Sequence, residues 1–249
     1  MIIGISGRIS SGKDTVGNIV QYIVAKHESG YTFPDTEQDF KSFLKNDHVS
    51  RSNWQIKKFA GKVKEICSIL TGIPVADFEK QEVKDRTLGE EWYRNKIIPE
   101  HGYGYKVVNW DKHLRPEKLT TRQLLQEVGT DAMRNVIHPD VWANALFAEY
   151  GIQDIAYFKA YPNNYKLPNW IITDCRFPNE AKAITDRNGI LIRVNRKHNP
   201  LSVEAIGQFL HPSETALDSY PFTNVIDNDG TIEELIEQVR QILIKYKII

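Results

Sequence analysis

The chain begins with a short apolar segment that leads directly into a glycine-rich loop. Residues 2–6 read Ile-Ile-Gly-Ile-Ser, and residues 7–15 read Gly-Arg-Ile-Ser-Ser-Gly-Lys-Asp-Thr. Apolar residues then recur at the spacing of one helical face, at Val16, Ile19, Val20, Ile23 and Val24. The pattern predicts a buried strand, a tight loop and an amphipathic helix, in that order.

A loop in this position is suited to binding phosphate. Backbone N–H groups at a helix N-terminus point towards an anion, and the helix dipole favours negative charge there. Glycines allow close approach, and Lys13 is placed to reach the β- and γ-phosphates of a nucleotide. We refer to residues 7–15 as the P-loop. Its candidate nucleotide-binding residues are Gly7, Arg8, Ser10, Ser11, Gly12, Lys13, Asp14 and Thr15.

The P-loop departs from the usual pattern in one position. A serine or threonine that ligates Mg²⁺ commonly follows the lysine, but here Asp14 follows Lys13 and the hydroxyl comes one residue later, at Thr15. We therefore assign the Mg²⁺ contact to Thr15, directly or through water. Two roles for Asp14 stay open: binding metal-bound water, or favouring the helix N-terminus.

A second polar cluster follows an apolar strand later in the chain. Residues 170–173 read Trp-Ile-Ile-Thr, and Asp174-Cys175-Arg176 comes next. Ligands of open α/β sheets bind at the carboxyl ends of the strands, so this cluster is expected beside the P-loop. Asp174 is predicted to hold Mg²⁺ or to accept a hydrogen bond from substrate. Arg176 is predicted to clamp a phosphate with its bidentate fork, and Lys13, Asp174 and Arg176 are the catalytic candidates.

Strands that alternate with helices predict a parallel sheet covered by helices on both faces. The predicted fold is therefore α/β, a P-loop NTPase three-layer α/β/α sandwich. A length of 249 residues favours a single domain over 1–249. Residues 76–150 are predicted to form a helical and irregular acceptor-binding insertion or lid, with a solvated surface segment as the alternative.

Several element boundaries are also predicted. A second strand is expected over 54–59 and a helix over 60–70, with Val63, Ile66, Cys67 and Leu70 on one face. A helix beginning at Thr120 is expected to end at Gly129-Thr130-Asp131, with Thr130 capping a further helical segment through Val136. Thr231 and Glu234 predict a capping box for the last helix.

Bulk composition points to no macromolecular partner. Lys plus Arg equals Asp plus Glu, at 32 each, so the charge gives no indication of a nucleic-acid or membrane partner. Cys67 and Cys175 are the only cysteines, which excludes a disulfide scaffold. No apolar run approaches the ~20 residues that a membrane span requires. We expect a cytoplasmic protein; a homodimer is left open.

Taken together, the ordered motifs resemble the deoxynucleoside monophosphate kinases of bacteriophage type. The resemblance is carried by the P-loop, by Phe-Ala-Gly-Lys-Val-Lys at 59–64, by Leu-Leu-Gln-Glu-Val-Gly-Thr-Asp at 124–131 followed by Trp142, by 173–180, by 213–214 and by Asn-Asp-Gly-Thr at 228–231. It implies ATP-dependent, Mg²⁺-dependent phosphorylation of (deoxy)nucleoside monophosphates. A phage origin would place the protein in the host cytoplasm.

The resemblance also implies an acceptor site. The residues expected near the acceptor nucleotide are Lys64, Arg122, Gly129, Thr130, Trp142, Asp174, Arg176, Glu180 and Ser213. Taken without the resemblance, the cluster of Arg122, Gly129, Thr130, Asp131 and Arg134 is read as an ordinary helix end with a threonine cap in preference to a binding site. Animal-type phosphomevalonate kinases are similar to the same pattern, so another small phosphorylated acceptor is an alternative. A nucleotide-binding switch or ATPase is a second alternative, although no guanine-reading Asn-Lys-x-Asp motif is present.

Overall fold

The computed structural model describes residues 1–30, 35–45, 52–94, 97–99, 105–107, 117–151, 167–197 and 215–249. The strands are β1 Ile2–Gly7, β2 Trp54–Lys57, β3 Ile97–Pro99, β4 Tyr105–Val107, β5 Asn169–Ile172, β6 Ile190–Asn195 and β7 Val225–Asp227. The α-helices are α1 Lys13–Glu28, α2 Glu37–Lys45, α3 Phe59–Thr71, α4 Gln81–Asp85, α5 Thr121–Gln126, α6 Val141–Phe147, α7 Pro178–Thr185 and α8 Ile232–Lys245. Short 3₁₀ turns occupy Val75–Glu79 and Glu90–Trp92, and a π-helix occupies Glu127–Ile137.

The chain divides into two compact units. The first consists of Met1–Phe59 and Trp142–Ile249, and the second is the continuous segment Ala60–Val141. The second unit overlaps the insertion predicted over 76–150, whose acceptor-binding role stays a prediction. None of the helices within the described ranges is long and apolar enough to cross a membrane.

The first unit is built on a five-stranded sheet in the order β2-β5-β1-β6-β7. Every neighbouring pair of these strands is parallel, which confirms the predicted α/β class. The central strands are apolar because both faces of a parallel sheet are covered. Ile3 and Ile171 lie opposite each other in adjacent strands, and both are fully buried.

Helices pack on both faces of this sheet. Side chains alternate along a strand, so Ile3 and Ile5 share one face, and both join the apolar cluster that contains the buried residues of α1 and α8. Gly4 faces the other way, where a Cβ would meet the side chain of Ile184 in α7 at 2.5 Å. The sheet therefore has α1 and α8 on one side and α7 on the other.

The first and last helices agree with the sequence predictions. All five apolar residues predicted for the buried face of α1 are at most 2% exposed, and burying a side chain of this size stabilises the fold by about 1.5–3 kcal/mol. Thr231 caps α8, and Glu234 completes the predicted capping box. These two helices also contact each other.

The boundary between β2 and α3 differs from the prediction. Strand β2 ends at Lys57 and α3 begins at Phe59. The Phe59 N–H donates to the Asp174 carboxylate, which satisfies one of the unpaired donors of this helix start. The apolar face predicted for α3 is only partly buried. Val63 and Cys67 are buried, but Leu70 is 51% exposed. Periodicity shows which residues share a face, not how far a neighbouring core extends along it.

The prediction of a helix end at Gly129 is wrong. Helix α5 starts as predicted, with Thr120 and Gln123 forming a capping box, but the chain then continues as the π-helix through Gly129 and Thr130. Thr130 is therefore inside a helical segment and is not a cap. A single glycine costs a helix only about 1 kcal/mol, so it need not end one.

In the described part of the second unit, Arg94 binds two glutamates, one of which is in this π-helix. The guanidinium of Arg94 donates two 2.6 Å hydrogen bonds to the carboxylate of Glu127, the first π-helical residue. Its Nε donates to Glu117 at 3.3 Å. Bidentate pairs of this kind are the stronger form of ion pair. The antiparallel pair of β3 and β4 also belongs to this unit.

Candidate active site

The P-loop connects β1 to α1 and has glycine at both ends, where the surroundings leave no room for a Cβ. Gly12 has φ of 97° and ψ of 20°, in the left-handed region. A Cβ on Gly12 would clash with Nδ2 of Asn228, and a Cβ on Gly7 would clash with Oγ of Ser11. Both predicted glycines are therefore explained by close packing around the loop.

The loop presents cationic and hydroxyl groups beside the N-terminus of α1. Nζ of Lys13 donates to the carbonyl oxygens of Gly7 and Arg8 at 2.7 and 2.6 Å, which holds the ammonium group against the loop. Oγ of Ser11 is buried and has no hydrogen-bond partner among the described residues. Thr15 lies in the first turn of α1. A phosphate group fits this combination of a buried hydroxyl, a lysine and a helix N-terminus.

Asn228 supports the P-loop from the end of the last strand. Its Nδ2 donates to the carbonyl oxygen of Ser11 at 2.8 Å, and its backbone N–H donates to the carbonyl oxygen of Asn195 at 2.9 Å. Sequence reasoning used this residue only as part of the terminal motif. The missed signal was its position directly after β7, because the carboxyl ends of β7 and β1 lie at the same edge of the sheet.

Asp14 of the P-loop is paired with two residues that follow neighbouring strands. Its Oδ1 accepts a hydrogen bond from Oγ1 of Thr173 at 2.7 Å and lies 3.0 Å from Nζ of Lys58. Partial burial raises the pKa of Asp14, but the hydrogen bonds from Thr173 and Lys58 and the nearby ammonium charges outweigh it, so the pKa is lowered. Asp14 is therefore a carboxylate at neutral pH. Neither partner was predicted.

Asp174 is the second residue after β5, the strand next to β1, and so lies at the carboxyl edge of the sheet, as the sequence predicts. The residue is 8% exposed, and its Oδ1 accepts the backbone N–H of Phe59 at 2.9 Å. This hydrogen bond fixes the carboxylate at the carboxyl edge of the sheet. Thr173, which precedes Asp174, donates to Asp14 of the P-loop.

Arg176 is positioned by Glu180 at the start of α7. Oε2 of Glu180 accepts the backbone N–H groups of Arg176 and Phe177 at 2.8 and 3.1 Å. Glu180 is 3% exposed, so this carboxylate is occupied in shaping the turn. The geometry supports an indirect role for Glu180, through Arg176.

An ion-pair network connects the P-loop to β6, the strand on the side of β1 away from β5. Asp218 accepts from Arg8 at 2.7 Å and from Arg193 of β6 at 2.6 Å, and Arg193 also donates to Oγ of Ser6 at 3.3 Å. Burial raises the pKa of Asp218, but the hydrogen bonds from Arg8 and Arg193 lower it further than burial raises it. The network ties the loop to the neighbouring strand. Only Arg8 was among the predicted residues.

The remaining predicted acceptor residues come from both units of the chain. Trp142 is 3% exposed, so it is a core residue of the first unit. Lys64, Arg122, Gly129 and Thr130 belong to the second unit. Lys64 pairs with Glu79, and Arg122 pairs with Asp85 at 2.8 Å. Ser213 lies outside the described residues.

Comparison with known proteins adds an independent observation. The family model described as deoxynucleotide monophosphate kinase matches residues 80–239, which is more than half of the chain. The chain belongs to the deoxynucleotide monophosphate kinase family. The matched range includes Asp174 and Arg176, while the P-loop lies before it.

Two curated proteins resemble the chain at lower identity. A putative deoxynucleotide monophosphate kinase of Acanthamoeba polyphaga mimivirus is 31% identical over 128 residues, which cover 48% of this chain and 59% of the viral protein. A deoxynucleoside-5'-monophosphate kinase of Escherichia phage T5 is 22% identical over 260 residues, which cover 92% of this chain and 89% of the phage protein. The second alignment extends the kinase-family resemblance over both units.

Proposed function

We propose that the protein transfers the γ-phosphoryl group of ATP to the phosphate of a deoxynucleoside monophosphate, in the presence of Mg²⁺. The observation that carries this proposal is the P-loop at the carboxyl edge of a parallel sheet, next to Asp174, in a chain of the deoxynucleotide monophosphate kinase family. Membership of the family favours a nucleotide over phosphomevalonate as acceptor.

The P-loop supplies the donor side of this reaction. Phosphoryl transfer depends on in-line positioning and on cancelling the charge of the transferred group. The buried Ser11 hydroxyl and the backbone around Gly12 are suited to hold phosphate oxygens, and Lys13 brings a positive charge to the same place. The Lys13 ammonium group donates to two carbonyl oxygens of the loop. A phosphate oxygen would be a stronger, charge-assisted acceptor for it.

Mg²⁺ is expected to be held by Thr15 and Asp174. An oxygen donor set of one hydroxyl and one carboxylate suits this cation, which usually keeps waters and shares substrate phosphates. When bound, the metal neutralises charge that develops on the phosphates. The hydrogen bond from Phe59 keeps the Asp174 carboxylate at the sheet edge.

The acceptor side is proposed to use arginine and lysine side chains. Arg176 follows Asp174 at the sheet edge, and its backbone is fixed by Glu180. An ionised acceptor phosphate is already a nucleophile, so the reaction requires no general base. Lys64 and Arg122 are further proposed acceptor contacts in the second unit, and Gly129, Thr130 and Ser213 keep the roles implied by the family resemblance.

A coupled assay for ADP formation tests this proposal. We expect ADP formation from ATP to depend on at least one of dGMP, dTMP, dCMP and dAMP, and to exceed that with phosphomevalonate. Lys13→Ala and Arg176→Ala should lose turnover without unfolding, whereas Lys182→Ala, at an exposed position of α7, should not change turnover. If none of the four nucleotides supports ADP formation, the proposed function is wrong.

A further inference from the structure

The P-loop carries a negative charge in a position where phosphate groups are expected. Asp14 directly follows Lys13 and lies in the first turn of α1. A carboxylate close to a polyphosphate repels it, and for a partly exposed group this weakens binding on the order of tenfold. The Asp14 side chain is 67% exposed, so solvent screens part of this repulsion, and a positive charge that compensates Asp14 would favour ATP binding.

The structure contains such a charge at the end of β2. Lys58 follows the last residue of this strand, and its Nζ lies 3.0 Å from Oδ1 of Asp14. The Lys58 side chain is 32% exposed, so most of it is covered by neighbouring atoms. A buried partner, Thr173, donates to the same carboxylate oxygen at 2.7 Å and orients it.

The parallel sheet explains why the two partners meet at Asp14. Strands β2 and β5 are adjacent, with Lys57 opposite Ile172, so the next residues, Lys58 and Thr173, leave the sheet side by side. Strand β5 is in turn adjacent to β1, which leads into the P-loop. The pairing is thus built into the strand order.

We propose that Lys58 is a positioning residue for ATP binding, which acts by neutralising and holding Asp14 so that the P-loop accepts a polyphosphate. The inference rests on the proposed function, since it assumes that the loop binds ATP. Lys58 contacts Asp14 and need not contact the nucleotide. The Asp14–Lys58 pair therefore behaves as one unit, and the loss of the lysine is harmful only while the carboxylate is present.

The role of the Asp14–Lys58 pair can be tested by a double-mutant cycle on the binding of an ATP analogue. We would titrate a non-hydrolysable ATP analogue by calorimetry in EDTA, so that neither metal ligation nor turnover contributes to the signal. The proteins are the wild type, Lys58→Met, Asp14→Asn and the double variant. Lys41→Met is the matched control, since it removes the same charge from an exposed pair with Glu37 on α2.

We expect Lys58→Met to weaken binding about tenfold and Lys41→Met to leave it unchanged. The double variant should return to within about threefold of the wild type, because no uncompensated carboxylate remains. Lys58→Arg, which keeps the charge, should bind within about threefold of the wild type. A lysine that only stabilises the fold would not be rescued by Asp14→Asn.

Other outcomes overturn the inference. If the double variant binds as weakly as Lys58→Met, or if Lys58→Met binds like the wild type, Lys58 does not act through Asp14. If the wild type does not bind the analogue either in EDTA or with Mg²⁺, the proposed function itself fails. Should Lys58→Met not fold, as judged by its thermal transition, Lys58→Gln takes its place under the same criteria.

Discussion

Substitution of Gly12 by alanine should destabilise the first unit through two separable effects. The first is the backbone, because φ of 97° costs an L-residue about 1–2 kcal/mol. The second is the clash of the new Cβ with Nδ2 of Asn228, for which overpacking data indicate about 1–3 kcal/mol. The expected loss of unfolding free energy for Gly12→Ala is therefore about 2–5 kcal/mol.

Asn228→Ala separates the two effects. Alone it removes the hydrogen bond to the Ser11 carbonyl and should cost about 1 kcal/mol. Combined with Gly12→Ala it also removes the atom with which the Cβ clashes. The double variant should then be about 1–3 kcal/mol more stable than the sum of the single effects predicts.

Urea unfolding followed by tryptophan fluorescence measures this coupling. Gly30→Ala is the matched control, since Gly30 has φ of 70° and no described atom lies within 4 Å of its added Cβ. It should show only the backbone cost and should be additive with Asn228→Ala. If Gly12→Ala and Asn228→Ala are additive within about 0.5 kcal/mol, the packing of Asn228 against the P-loop is refuted.

Two further predictions concern titratable groups outside the proposed phosphate contacts. The pKa of Asp218 is lowered by its hydrogen bonds from Arg8 and Arg193. The stability that Asp218 contributes is therefore present above the unfolded pKa of about 3.9 and is lost as the pH falls through the lower folded pKa. Between pH 6 and pH 3 the wild type should lose more unfolding free energy than Asp218→Asn, and equal losses would contradict this. Burial raises the pKa of the Cys67 thiol to about 11 and the pKa of the Cys175 thiol well above its usual value. A disulfide reagent at pH 8 should therefore label neither thiol in the native protein and two thiols per chain in guanidinium chloride. Rapid labelling of the native protein would contradict the described burial.

The sequence was sufficient for the parts of the structure that depend on local pattern. The spacing of Val16 to Val24 identified the buried face of α1, and the Thr231–Glu234 pair identified the start of α8. The position of Asp174 followed from the rule that ligands bind at the carboxyl ends of parallel strands. Each of these predictions needed only a short segment of the chain.

The partners of the P-loop could not be predicted in this way. Lys58, Thr173 and Asn228 reach the loop from three different strands, and the strand order that brings them together is a property of the whole sheet. Arg193 and Asp218 were missed for the same reason. A charged residue next to a predicted strand does not reveal its partner until the neighbouring strand is known.

The wrong helix end at Gly129 has a different cause. Glycine is a statistical signal for a helix C-terminus, but the local cost of glycine within a helix is small compared with the hydrogen bonds that continue through it. The π-helix lets these bonds run to Ile137. Helical segments of this kind are rare, so sequence patterns give no warning of them.

The transfer of phosphate to a nucleotide is the central claim, and ³¹P NMR of a complete reaction tests it most directly. The protein would be mixed with ATP, Mg²⁺ and each deoxynucleoside monophosphate in turn, and the phosphorus resonances of the products followed with time. We predict that ATP converts to ADP while at least one monophosphate gains the β-phosphate resonance of its diphosphate. Release of inorganic phosphate with no deoxynucleoside diphosphate would contradict the account.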